Sequence, residues 1–401
     1  MHRVWWSKRQ HRLPVTLFTH SDLSRLKSVE AQCRGYPGGI ISVAVWVPLI
    51  AHNSTAPAPG RPPPLTPSTP EYLDAAHKAA LENATAILEH LFLAMETPGQ
   101  PPSPSSPEGS GTGTGTTTSA TSTANQTHET CVMRLMLVED DVMASLMPLN
   151  ILRNAAMLAA TTPLVAMVDA DMALSWSFAS RVLVNATRAA ELERRAVQER
   201  VVWVIPIFDT DDKLPLPERM ALAEAAVQRE GARLLSLWHS EERVFPYGSR
   251  GFSPGHAPTD CVRWSGAYTD HEVEYREGKA LPPYDSRFRG YFRDKIVNTA
   301  YVASLGFKFR VLPDVWMVHR PHEPCVASYK WQWYHNLASN PTPLEKLVPL
   351  PNGTWIRARA ANNVHSLSTY KESTSATANG SYQLVLNEAT VFCRAVLRWW
   401  R

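Results

Sequence analysis

Thr162-Pro163-Leu164-Val165-Ala166-Met167-Val168-Asp169-Ala170-Asp171-Met172-Ala173-Leu174-Ser175 is the stretch on which the reading of this chain turns. Leu164 to Val168 is an unbroken apolar run, opened by Pro163 and closed by two acids, the pattern of a strand buried on both faces. This puts Asp169 and Asp171 at the carboxyl end of a central strand, the edge at which open α/β sheets bind ligands. Two carboxylates one residue apart can hold a hard divalent cation, and through it a diphosphate. Alone, an Asp-x-Asp is weak, because acidic pairs at strand ends also act as caps and solvated turns. Its neighbours must decide.

Outward from this stretch, composition sets the bounds. The chain has 401 residues, 44% of them hydrophobic, enough for one large domain or two ordinary ones with real cores. Its 40 Lys and Arg against 37 Asp and Glu leave a net charge of +3 without basic blocks, so a dedicated nucleic-acid binder is not expected. The 13 Trp suit ordinary cores and sugar-stacking surfaces alike. Cys33, Cys131, Cys261, Cys325 and Cys393 include no Cys-x-x-Cys pair, which excludes a zinc ribbon and forces no disulfide framework. Asn-x-Ser/Thr sequons at Asn53, Asn83, Asn125, Asn185, Asn352 and Asn379 point to a secretory-pathway lumen. Met1 to Arg9 has no apolar signal core and no run of 18 apolar residues occurs, so membrane association would need an anchor outside this sequence.

Taken in order, Leu13 to Thr19 reads as a strand and Ser21 to Cys33 as a helix capped by Ser or Asp. After the turn Gly35-Tyr-Pro-Gly-Gly39, Ile40 to Val47 reads as a second strand, completing a β-α-β unit and predicting a parallel sheet. Pro57 to Pro70 is a Pro-rich linker, Glu71 to Glu96 a helix, and 97–130 a Ser/Thr/Gly/Pro-rich insert expected to be disordered. Val132 to Val138 is a third strand. A helix from about Met147 to Ala160 follows, with Asn150, Arg153 and Asn154 on one polar face. That face either touches a nucleotide phosphate or is solvated. Ser175 to Glu199 reads as helix and Val201 to Phe208 as one buried strand.

These blocks, in the order VTLFT, GGIISVAVWVP, MPLNILRNAAMLAATTPLVAMVDADMALS and VVWVIPIFD, resemble the LARGE-type glucuronyltransferase domain, glycosyltransferase family 49. Pro254 to Trp264, Pro282 to Tyr291 and Gly306 to His322 are similar to its later blocks, so the resemblance covers residues 13–325 apart from the insert. It implies a GT-A (Rossmann-like) α/β fold with a mixed, mostly parallel sheet, and transfer of a sugar with inversion. It also implies a UDP-sugar donor, a divalent metal, usually Mn²⁺, a glycan or glycoprotein acceptor and a Golgi setting. Residues 326–401 form a C-terminal extension to which we assign no role.

The family pattern and the residues together name candidates. Asp169, Asp171 and His319 are the expected metal ligands, with His322 a further candidate, since imidazole suits Mn²⁺ better than Mg²⁺. Asn150 and Arg153 carry over as donor contacts. An inverting transfer needs a base for the acceptor hydroxyl. Asp285 in PPYDSRFRGY and Asp294 in GYFRDK are the carboxylates best placed for it; Asp285 is the first choice, because the resemblance implies that Asn is tolerated at the position of Asp294, although Asp285 could simply pair with Arg287 or Arg289. The segment between Trp264 and Pro282 is shorter than in the family and Phe292 replaces its usual Gly, both on the acceptor side. A non-catalytic glycan-binding protein on the same fold is therefore the rival. A haloacid-dehalogenase-like phosphatase fits less well, because Met172-Ala-Leu is not its nucleophile loop.

Overall fold

Three of the apolar runs form the middle of one sheet. In this computed structural model the described residues are 1–48, 75–97, 130–140, 147–228, 231–249, 259–273, 283–288, 294–323, 347–349, 355–357, 369–386 and 391. The strand order of the first sheet is Arg3–Trp6 (β1), Val132–Asp140 (β4), Ile40–Pro48 (β3), Val15–Asp22 (β2) and Leu164–Met167 (β5). Strands β2 to β5 are mutually parallel and β1 is antiparallel to β4. The Arg-Val-Trp-Trp strand was not read from the sequence; it alternates a buried Trp5 with an exposed Trp6, whose ring lies 4.1 Å from the Arg134 guanidinium.

Strand β5 corrects an expectation. It is the edge of its sheet rather than a central strand, and its residues are half-buried rather than sealed on both faces. The apolar run fits this place because its free side borders a cavity of about 480 Å³, lined from several elements by side chains such as Phe18, Trp203, Val302 and Phe309. Among the described residues that line it there is no carboxylate, ammonium, guanidinium or imidazole.

The expected helices enclose this sheet. Asp22 accepts a hydrogen bond from Ser24 N at 2.9 Å and opens a turn that leads into α1, Leu26–Arg34. Gly38 has φ 74°, and a side chain on Gly39 would collide with the Tyr36 ring, so both glycines of the turn are required. Helix α2, Ala75–Glu96, buries Leu81, Ala84, Leu88, Leu91 and Met95 at helical spacing against the sheet. A disulfide joins Cys33 to Cys131, tying the end of α1 to the start of β4. Apart from its two end residues, the 97–130 insert lies outside the described residues, as does the 57–70 linker.

Beyond α3, Leu149–Leu158, and β5, Met172–Leu174 forms β6. The helix read over 175–199 is broken. A π-turn at Phe178–Leu183 precedes α4, Ala186–Gln198, which Asn185 caps by accepting from Arg188 N at 3.1 Å. The strand read over 201–208 is divided into β7, Val201–Val204, and β8, Ile207–Thr210. Pro206 causes the division, since it has no N–H for a ladder. Helices α5, Leu216–Val227, and α6, Gly231–Leu235, lead to β9, Val244–Pro246. Helix α7, Cys261–Ser265, and β10, His271–Val273, follow. Helix α8, Asp294–Ser304, comes next, then β11, Lys308–Val311, and β12, Met317–His319.

The chain over 308–319 turns through Asp314, whose φ of 61° is accessible to Asp, and follows the bent 201–210 segment on both sides of Pro206. Leu312 N donates to Val204 O at 2.9 Å and Met317 N to Pro206 O at 2.8 Å. Two small sheets result, β10-β11-β7 and β6-β12-β8-β9. In the C-terminal extension Leu347–Pro349 (β13) pairs with Trp355–Arg357 (β14), and Thr369–Ala378 is α9. Among the described residues no helix is long and apolar enough to cross a membrane.

Candidate functional site

Strand β12 has neighbours on both sides, and this decides the surroundings of its last residue. On one side β6 runs antiparallel, placing His319 opposite Met172 and next to the Asp-x-Asp turn; Arg320 N donates to Asp171 O at 2.7 Å. On the other side β8 runs parallel, with Val318 beside Phe208, so the register brings Asp209 to His319. His322, three residues on, folds back over the same turn.

Asp171, His319 and His322 therefore converge. Asp171 Oδ2 is 2.9 Å from His322 Nε2 and 3.7 Å from His319 Nε2, and the two Nε2 atoms are 3.4 Å apart. Each ring's Nδ1 faces an acceptor, at 3.3 Å from Asp209 Oδ1 for His319 and 3.1 Å from Glu323 O for His322. Burial alone would raise the Asp171 pKa, but hydrogen bonds with the two histidines hold its carboxyl well below the usual carboxylate range. Burial would lower His319, yet its bonds to Asp171 and Asp209 outweigh it and push the ring up to about 9. Tyr247, edge-on to His319, is pushed up to about 12 by burial and by the nearby Asp171 and Asp209 charges.

Asp169 is brought near but not into this triangle. It ion-pairs with Lys295, which lies on α8, and is 3.8 Å from Arg153, while its Oδ1 has no hydrogen-bond partner. Despite burial, which opposes it, Lys295 and Arg153 hold the Asp169 carboxyl below its ordinary value. Among the described residues Asp171, His319 and His322 lie close enough together to share a cation, while of the expected set Asp169, Asp171 and His319 the first stands outside this triangle.

Next to it lies a cavity of about 200 Å³, whose walls include His20, Asp22, Arg25, Arg153, Asp294 and Lys295 as well as the Asp-x-Asp turn. Here the polar stripe of α3 finds its partners. Neither of the two expected alternatives describes it fully, because Asn150, Arg153 and Asn154 are almost completely buried. Asn150 Nδ2 donates to Asp285 O at 2.8 Å, and Asn154 Nδ2 to Tyr284 O at 2.7 Å. Arg153 donates to Asn150 Oδ1 at 2.8 Å and ion-pairs with Asp294. Its charge, and that of Lys295, keep Asp294 ionised although burial opposes it.

The two candidate bases part company in space. Asp294 lines the cavity. Asp285 is not among its lining residues: it accepts from Arg287 Nη2 at 2.7 Å and from the Tyr382 hydroxyl at 2.6 Å, and Ser286 N donates to Val385 O at 2.8 Å. The C-terminal extension, without a role in the sequence reading, thus packs on the PPYD block through α9 and 381–386.

With this geometry, a profile described as "Glycosyl-transferase for dystroglycan" matches residues 14–325. The chain belongs to this family. Curated proteins named xylosyl- and glucuronyltransferase LARGE1, from Mus musculus, and LARGE2, from Rattus norvegicus, are 26% and 29% identical to it over 193 and 190 residues. Those alignments take in 46% and 45% of this chain and 23% and 25% of the relatives. The chain therefore spans about a quarter of the length of the curated relatives it matches. Human LARGE2 is 27% identical over 189 residues.

For this member of the family, sequence reasoning did not single out Asp209 or Lys295, which the structure puts beside the candidate site, and it ranked His322 below His319. The signal for His322 was present in His-Arg-Pro-His, where the proline bends the chain so that the second imidazole can return. Asp209 and Lys295 carried no local signal, since each is defined by a strand register or a helix placement set far away in sequence.

Proposed function

We propose that this chain is a metal-dependent, inverting glycosyltransferase domain of the GT-A type, moving glucuronic acid or xylose from a UDP-sugar to a glycan or glycoprotein acceptor. The observation that carries the reading is the convergence of Asp171, His319 and His322 beside a polar cavity at the carboxyl ends of β2 and β5. The relatives' names supply the two donor sugars. A secretory lumen fits the Cys33–Cys131 disulfide and the exposed sequon at Asn185.

The residues present suit a divalent cation. Ligands of an ion held at about 2.1 Å in octahedral geometry lie about 3 Å apart at neighbouring corners, and the three atoms here are 2.9, 3.4 and 3.7 Å apart. Two imidazoles with one carboxylate favour Mn²⁺ over Mg²⁺. When bound, such an ion neutralises charge on the departing diphosphate. Asp169, kept ionised and with an Oδ1 that makes no hydrogen bond among the described residues, accepts from the donor or joins the ion. Lys295 and Arg25 add positive charge to the phosphate side of the cavity. Asp294 is our choice of base in place of Asp285, because of the two it is the one that lines the cavity; the Arg153 ion pair keeps it ionised and makes it a weaker base than a free carboxylate. Asp285 instead holds the PPYD block to the C-terminal extension.

Calorimetric titration with Mn²⁺, Mg²⁺ and UDP, on wild type and Asp171→Ala, tests the reading. Metal-dependent UDP binding that disappears in the variant supports it, with transfer from UDP-glucuronate and UDP-xylose as the next assay. A wild-type protein that binds no UDP with any divalent ion sinks it, and leaves a non-catalytic glycan binder.

A further inference from the structure

Asp209 stands behind His319, on the side of the ring away from Asp171. It is the penultimate residue of β8, and the parallel pairing of β8 with β12 leaves it beside the imidazole. Its Oδ1 is 3.3 Å from His319 Nδ1 and accepts from Thr210 N at 2.8 Å. Arg219, at 3.8 Å, lies outside hydrogen-bond range and instead donates through Nε to Thr210 Oγ1 at 3.2 Å. Among the described residues the histidine is therefore the nearest side-chain partner of Asp209, with Arg219 an ion-pair neighbour at 3.8 Å.

A neutral imidazole carries one proton, and which nitrogen holds it decides which nitrogen can ligate. With a carboxylate at Nδ1, the proton belongs there and the Nε2 lone pair points at Asp171 and His322. The second ring is set in the same way by a weaker acceptor, the Glu323 carbonyl. Acceptors of this type orient a ligating histidine and raise its basicity, a carboxylate more than a carbonyl.

We infer that Asp209 is a positioning residue of the metal centre: it fixes the orientation and tautomer of His319 so that Nε2 is presented to the ion. The inference rests on the proposed metal site. Asp209 itself touches neither ion nor donor.

The test is Mn²⁺ affinity by calorimetry, with melting temperature measured alongside, for wild type, Asp209→Asn and Asp209→Ala. The asparagine keeps an oxygen for Nδ1–H and loses the charge; the alanine loses both. Loss of such a partner weakens metal binding by about 10- to 100-fold, so alanine should lie near the upper figure and asparagine near the lower. In zinc-loaded protein with ¹⁵N-labelled histidine, the His319 Nδ1 proton should be slow to exchange in wild type and fast in Asp209→Ala. Should the alanine variant fail to fold, the near-isosteric asparagine variant decides. Wild-type Mn²⁺ affinity in the folded variants, with or without a lower melting temperature, overturns the inference. A wild type that binds no divalent ion instead overturns the metal site itself, so the two failures are distinct.

Discussion

Asp171 Oδ2 and His322 Nε2 are 2.9 Å apart, although 151 residues separate them in the chain. Around this pair the metal-free protein should show opposed pH dependences. The His319 pKa is raised in the folded state from 6.5 to about 9. Its stabilising contribution is thus complete below pH 6.5 and disappears as pH rises through about 9. Metal binding needs the neutral ring, so Mn²⁺ affinity should rise over the same interval. Melting temperatures with chelator and with saturating Mn²⁺ should diverge between these two pH values. A constant gap, or one unchanged by His319→Ala, would count against the cluster.

Arg153 should be among the costliest residues to replace. It is 2% exposed and faces Asp294, Asp169 and Asn150 Oδ1. Its removal leaves buried carboxylates without a counter-charge, a loss of about 3–5 kcal/mol. Urea denaturation of Arg153→Met measures the loss, and Arg153→Met with Asp294→Leu should recover part of it. Equal stability of the single and double variants would mean that the ion pair is not the cause.

Asp285 should report on the C-terminal extension rather than on donor binding. Tyr382→Phe removes the hydroxyl that donates to Asp285 Oδ2 at 2.6 Å, while Arg287 continues to hold that carboxylate. Loss of one hydrogen bond to a charged group is worth about 1.5–3 kcal/mol. Amide exchange should therefore quicken over 369–386, with UDP and Mn²⁺ binding unchanged. Impaired UDP binding with normal exchange would contradict this placement and put Asp285 in the substrate site.

His20 should make the fold acid-sensitive. Burial first, and then the neighbouring Arg153 charge, lowers its pKa from 6.5 to about 3, and its Nδ1 has no hydrogen-bond partner among the described residues. A depressed histidine pKa means that stability is complete above pH 6.5 and lost as pH falls toward about 3. At 1.36 kcal/mol per pH unit, the loss near pH 5 is about 1–2 kcal/mol. His20→Gln should flatten the stability profile between those limits. Parallel profiles for variant and wild type would exclude His20 as the cause.

The Cys33–Cys131 bridge closes a loop across a separation of 98 residues, and both sulfurs are fully buried. Replacing both cysteines with alanine should cost about 2–5 kcal/mol, chiefly by freeing the unfolded chain. Denaturation with and without reductant checks this, the double variant being insensitive to reductant.

The sequence by itself determined the family and the local elements. Val15–Asp22, Ile40–Pro48 and Val132–Asp140 were legible as strands because apolar runs between turn residues have few other ways to satisfy their backbone. Asp169 and Asp171 were legible because a strand ended at them, and His319 because the spaced blocks matched a known pattern. Tertiary structure alone decided that β5 is an edge, that Pro206 divides a strand between two sheets, and that the polar face of α3 is buried. It also separated the two carboxylates between which sequence had preferred Asp285 as base, sending Asp285 to Tyr382 and Asp294 to Arg153. The physical reason is range. Periodicity and turn chemistry act over a few residues, whereas the partners of Asp171, Arg153 and Asp285 lie 151, 141 and 97 residues away and are set by sheet register and helix packing.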